Sequence, residues 1–140
     1  MNYFPVKHIK HLLAHRNFYL WLAELWTLLI IVLCMVSFKK LPTLGIPSAD
    51  KYVHFTFHFV FTVLWYVYLK KRNPQSKRLL LKVFLASLVF GIVIEICQSL
   101  FTTTRIGDIY DVMANTSGSL VSVITIIFYA DYIRRNKLIK

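Results

Sequence analysis

Four of the chain's six acidic residues fall in two short stretches, SADKYVHFTFH (residues 48–58) and EICQSLFTTTRIGDIYDVMANTSGS (residues 95–119). The first brings Asp50, Lys51, His54 and His58; the second brings Glu95, Gln98, Arg105, Asp108, Asp111 and Asn115. Carboxylates beside an imidazole are the parts of a general acid/base pair, with the carboxylate orienting the ring. A lysine and an arginine beside them are the parts of a phosphate clamp, Arg by its planar fork and Lys as a point charge. No nucleophile elbow, P-loop or metal-binding signature accompanies them.

The spacing sorts these groups onto helix faces. Asp50, His54 and His58 recur every four residues, Glu95 and Gln98 are three apart, and Asp108, Asp111, Asn115, Gly118 and Ser122 alternate steps of three and four. Residues so spaced stack on one side of an α-helix.

The elements that carry them lie in an unusually apolar chain. Hydrophobic residues make up 57%, charged residues 16%, and the mean hydropathy is +0.58. Four stretches reach the roughly 20 apolar residues that cross a bilayer core ~30 Å thick: 20–38, about 52–69, about 79–101 and about 109–132. Thirteen of the 17 Lys and Arg fall in the N-terminal segment, the loop between the second and third spans, and the tail. By the positive-inside rule those regions are cytoplasmic. Trp21, Trp26, Trp65, Tyr66, Tyr68, Tyr129 and Tyr132 then form the inner aromatic belt. The net charge of +11 thus reports topology and attraction to anionic lipid, and no nucleic-acid partner is expected.

The sequence predicts an all-α integral membrane four-helix bundle with N- and C-termini cytoplasmic. Residues 1–19 form a basic cytoplasmic or interfacial segment, 20–132 the four-span domain, and 133–140 a basic tail. No signal peptide is expected, because the first apolar run is too long for a signal core. Cys34 and Cys97 sit in apolar runs and read as small hydrophobes. His8, His11 and His15 share a helical face among Lys7, Lys10 and Arg16, which suits a basic interfacial helix better than a metal site.

In this orientation both polar stretches lie at the outer ends of spans two, three and four. Counting about 1.5 Å per residue puts His54, Gln98 and Asp111 in one layer, with His58, Glu95 and Asn115 in a second, deeper one. Charged groups at such depth are costly unless they face each other or water. The three spans therefore turn these faces into the bundle and line one outward-opening pocket. A hydrogen-bonded clamp uses the same residue types, but the number and mixed charge of the groups favour a site. Ala114, Gly118 and Ser122 form a small-residue ladder that lets span four pack closely against its neighbours.

The residues also resemble a known family. Asp50-Lys51-x-x-His54-Phe55, Gly91-x-x-x-Glu95-x-x-Gln98 and Arg105-x-x-Asp108-x-x-Asp111-x-x-x-Asn115-x-x-Gly118 are similar to motifs of the VanZ-like family of small bacterial membrane proteins. Its founding member is associated with resistance to the glycopeptide teicoplanin. The resemblance covers about residues 25–130 and leaves out the N-terminal segment. Thr104 stands where members often carry proline, and Ser122 where a second glycine often follows. The resemblance implies a role in the cell envelope and an effect on glycopeptide sensitivity, without supplying a reaction.

The expected role is binding or modification of an envelope lipid or lipid-linked cell-wall precursor. Glu95, His54 and Asp111 are the candidate acid/base groups; Asp50, Lys51, Gln98, Arg105, Asp108 and Asn115 are the candidate ligand contacts. The alternatives are a proton- or ion-coupled carrier, with Glu95 and His58 as relay groups, and a structural membrane scaffold. Neither a metal nor a cofactor is expected, although His54, His58, Glu95, Asp108 and Asp111 are metal-ligating types. Membrane lipids are the expected partners, an oligomer is compatible with the sequence, and turnover is not decided by it.

Overall fold

The computed structural model describes residues 5–35, 49–101 and 108–138, with side chains from 17 to 136. They form four helices, α1 (Pro5–Met35), α2 (Ala49–Arg72), α3 (Leu79–Phe101) and α4 (Ile109–Leu138), and no strand occurs among the described residues. Each helix contains a stretch long and apolar enough to cross a membrane. The all-α four-helix architecture follows from those apolar runs.

α1 starts much earlier than its apolar run. Its 31 residues pass without a break through the boundary expected near residue 19. Pro5 stands in the first turn, where a missing N–H costs nothing, and neither Gly nor Pro follows before Leu20. A helix of this length measures about 46 Å, so it overshoots a ~30 Å core. The apolar part, Asn17–Met35, spans; the basic turns project beyond it.

Side-chain pairs give the direction of each helix. Lys71 lies over the Tyr19 ring, 4.3 Å from its centroid, and the indole N–H of Trp65 donates to Thr27 Oγ1 at 3.1 Å. Low numbers on α1 thus meet high numbers on α2, an antiparallel pair. Ser87 bonds both His58 and Ser119, while Glu95 lies beside His54, so α3 runs against α2 and α4. α2 and α4 run in the same direction and share the most extensive contact.

Gly118 explains that contact. A Cβ there would overlap the carbonyl oxygen of Phe55 and stand 2.9 Å from its carbonyl carbon. The absent side chain lets the α4 backbone lie directly against α2, the close approach that small residues allow in membranes. Ser122, one turn on, is fully buried.

The bundle is polar inside and apolar outside. Among the described residues, the buried set holds ten polar or charged residues and eight hydrophobic ones, while Leu25, Val89, Ile96, Leu100 and Phe128 are exposed. Such an exterior suits lipid, which does not repel apolar side chains as water does. At the α2–α3 end the interior turns apolar: Phe61 stacks on Phe90 at 4.9 Å between centroids. Trp26 donates to the Phe57 carbonyl at 3.1 Å. Trp26, Trp65 and Tyr68 each find a polar partner on their own or a neighbouring helix. Trp21, Tyr129 and Tyr132 remain exposed. Cys34 is buried and Cys97 half-buried.

Candidate functional site

Asp108 begins the site because it begins α4. Its carboxylate accepts the Tyr110 N–H at 2.9 Å, and its carbonyl accepts the Asp111 N–H at 2.9 Å, the bonding of an N-cap residue. Negative charge is also favoured at a helix N-terminus. The Tyr110 N–H first, and the Lys51 ammonium second, hold the Asp108 carboxyl below the usual carboxylate range.

Lys51 binds three carboxylates. Its Nζ lies 3.3 Å from Asp50, 3.0 Å from Asp108 and 3.2 Å from Asp111. This ties the first turn of α2 to the first turn of α4. One ammonium among three carboxylates leaves this rim net negative. Its charge is thus already engaged, a state that the sequence reading of Lys51 as a phosphate contact does not include.

Below the rim lies His54, 3% exposed. Its Nδ1 is 3.2 Å from Asn115 Oδ1 and 3.5 Å from Glu95 Oε1, and its Nε2 is 3.9 Å from Asp111 Oδ2. An amide oxygen only accepts, so the bond to Asn115 is made by the ring form that carries a proton on Nδ1. Three helices therefore supply one imidazole, two carboxylates and one amide within a few ångströms. Glu95 and Asn115 are 5% and 1% exposed, so the charges are removed from both lipid and bulk water.

The two depth layers expected from residue counting interlock. His54 meets Asn115 and Glu95, which counting places one turn deeper. His58 instead reaches Ser87, with Nδ1 2.9 Å from Oγ. Ser87 Oγ lies 2.7 Å from Ser119 Oγ, and Ser119 Oγ donates to the Asn115 carbonyl at 3.1 Å. A polar line thus descends from the acid/base cluster into the bundle. His58 Nε2, Thr62 Oγ1, Asn115 Nδ2 and Ser122 Oγ are buried without a hydrogen-bond partner among the described residues. Gly91 makes room for this line: a Cβ there would stand 3.0 Å from His58 Cε1 and 3.2 Å from Asn115 Cβ.

Gln98 turns another way, its side-chain amide donating to the Cys34 carbonyl at 2.9 Å, which fastens α3 to the end of α1. Arg105 lies outside the described residues. Ser87 and Ser119 are members that the sequence reading missed. The signal was present, since Ser87 precedes Gly91 by four residues and Ser119 follows Asn115 by four.

Chemically, the cluster can accept and return a proton at His54, with the two carboxylates orienting and stabilising the imidazolium. His54, Glu95 and Asp111 also offer ligand atoms all within 4.8 Å of one another, a donor set that suits a divalent cation. No curated protein and no solved structure shows significant similarity to the chain. The resemblance above covers about residues 25–130, whereas a family model described as VanZ/LLP1 matches residues 1–130 and takes in the N-terminal segment. With nearly all of its 140 residues matched, the chain belongs to the VanZ/LLP1 family.

Proposed function

We propose that this membrane protein has both termini in the cytoplasm, and that its polar cluster opens to the extracytoplasmic face of the cell envelope. There it binds, and by proton transfer at His54 acts on, a lipid-linked cell-wall precursor or related envelope lipid. The observation that carries this reading is the buried imidazole flanked by two carboxylates from two other helices. In a membrane such groups are expensive, and function is the default reading for them.

The division of labour follows from charge. Lys51 is engaged by three carboxylates, so recognition of a lipid phosphate falls to Arg105. The net-negative rim of Asp50, Asp108 and Asp111 accepts hydrogen bonds from the hydroxyl or amino groups of a sugar or peptide head group. Glu95 and Asp111 orient His54, and Asn115 sets which of its nitrogens exchanges a proton. Altered glycopeptide sensitivity would follow from altered supply or exposure of such a precursor.

A second reading, a proton-coupled carrier, is favoured by the polar line through Ser119, Ser87 and His58.

Native mass spectrometry of the detergent-purified protein incubated with a polyprenyl phosphate separates these. Wild type should retain the lipid, and Arg105→Ala should lose it. Equal retention by the two proteins would overturn the proposal.

A further inference from the structure

At the end of the bundle opposite the His54 cluster, α2, α3 and the loop between them line a cavity of about 590 Å³. Its walls are apolar: Phe61, Trp65 and Leu69 from α2, and Leu79, Val83 and Ala86 from α3. Its rim carries Arg72, Asn73, Ser76 and Lys82, and no lining residue is acidic. The volume lies within the ordinary range of small-molecule sites.

The cations of this region do not share one fate. Lys70 donates to the Pro74 carbonyl at 2.6 Å, and Lys71 covers the Tyr19 ring. Arg134 and Arg135 are both bound to Asp131. Arg72 donates only to the neutral Tyr68 hydroxyl, at 3.2 Å, and neither Arg72 nor Lys82 has an ion pair with any described residue. Two uncompensated cations and two hydrogen-bonding side chains thus surround the mouth of an apolar slot.

We propose that this slot is a binding site for an anionic phospholipid. The phosphate sits between the Arg72 guanidinium and the Lys82 ammonium, the Asn73 and Ser76 side chains contact the head group, and one acyl chain lies against Trp65, Leu69 and Val83. Basic pockets between spanning helices are suited to anionic head groups in this way. Arg72 offers a fork of donors that matches a phosphate. The site is separate from the acid/base cluster and does not depend on the function proposed for it. The orientation proposed above would place it in the cytoplasmic leaflet.

The test compares phosphatidylglycerol with phosphatidylcholine retained by the purified protein in native mass spectra, after exchange from mixed micelles. Each surface cation near an anionic lipid is worth about fivefold in binding, so Arg72→Gln with Lys82→Gln should cut the phosphatidylglycerol preference roughly 25-fold. Lys77→Gln with Arg78→Gln removes the same charge from two exposed residues that do not line the cavity, and should leave most of the preference. Ala86→Phe, at an exposed wall position, should fill the slot and lower retention of phosphatidylglycerol without altering helix content. Equal loss in the two double variants would reduce the effect to general surface charge and overturn the proposal. Undiminished retention in Ala86→Phe would overturn it too.

Discussion

Replacing Gly118 by alanine tests the packing on which the site depends. The new methyl carbon would stand 2.9 Å from the Phe55 carbonyl carbon and 3.1 Å from its Cα, and would overlap the carbonyl oxygen, whereas ordinary contact lies at 3.4–4 Å. The obstacle is backbone, so no side chain can swing aside. α2 and α4 must separate by at least about half an ångström, the shortfall at the carbonyl carbon alone. A displacement of that size carries the 3.2 Å contact between His54 and Asn115 past the range of a hydrogen bond. Overpacking costs about 1–3 kcal/mol, and a lost buried hydrogen bond adds about 1 kcal/mol. Alanine returns roughly 0.5–1 kcal/mol through its higher helix propensity, which leaves a net loss on the order of 1–3.5 kcal/mol. Cys34, 3% exposed, supplies the assay: in a Cys97→Ser background, thermal unfolding in detergent is followed by its reaction with a thiol-reactive fluorophore. Gly91→Ala is the internal comparison. Its Cβ would meet side-chain atoms of His58 and Asn115 at 3.0–3.2 Å, and these can yield by a few tenths of an ångström. Gly118→Ala should therefore unfold at a clearly lower temperature than Gly91→Ala. Equal midpoints, or a larger loss in Gly91→Ala, would refute the claim that backbone contact at Gly118 sets the spacing of α2 and α4.

Two further outcomes concern the rim. Lys51→Gln leaves Asp50, Asp108 and Asp111 without their shared cation, so it should lower stability at pH 7. Because Asp108 is held below its ordinary value of 3.8, its contribution is present above that pH and is lost as the pH falls through its folded pKa. The gap between wild type and Lys51→Gln should therefore narrow below about pH 4; a gap independent of pH would refute the ionic account. At Asp108 itself, serine keeps a capping oxygen while alanine keeps none. Asp108→Ser should thus unfold above Asp108→Ala and below wild type, and identical midpoints for the two variants would remove the cap from the explanation.

Much of this architecture was legible because a bilayer imposes length. Runs such as 79–101 announce their helices, and α3 occupies Leu79–Phe101. The start of α1 was not legible in the same way: residues 5–19 alternate basic and apolar groups and contain no breaker after Pro5, so composition marks a border where the backbone has none. Steps of three and four residues located the faces that carry His54, Glu95, Asp111 and Asn115. Residue counting could not tell which neighbour each side chain would choose. Gln98 and Asp111 count to the same depth, yet Gln98 reaches the Cys34 carbonyl on α1, because a helix inside a bundle has two neighbours and spacing alone does not rank them. Ser87 and Ser119 were overlooked because a small hydroxyl in an apolar run carries little signal until a partner stands opposite. Nor does position in the sequence tell that the N–H groups of Trp26 and Trp65 are satisfied by Phe57 and Thr27.

The parallel pairing of α2 with α4 has a consequence for how the chain is made. Helices enter the membrane in the order of synthesis, and α2 enters carrying His54 and His58 before the residues that cover them exist. Ser87 and Glu95 arrive with α3, but Asn115, Asp111 and Gly118 arrive only with α4. Until then the newborn protein carries polar faces that lipid does not solvate, and a chain halted near residue 108 would keep them. The polar cluster is therefore completed only when α4 enters beside α2.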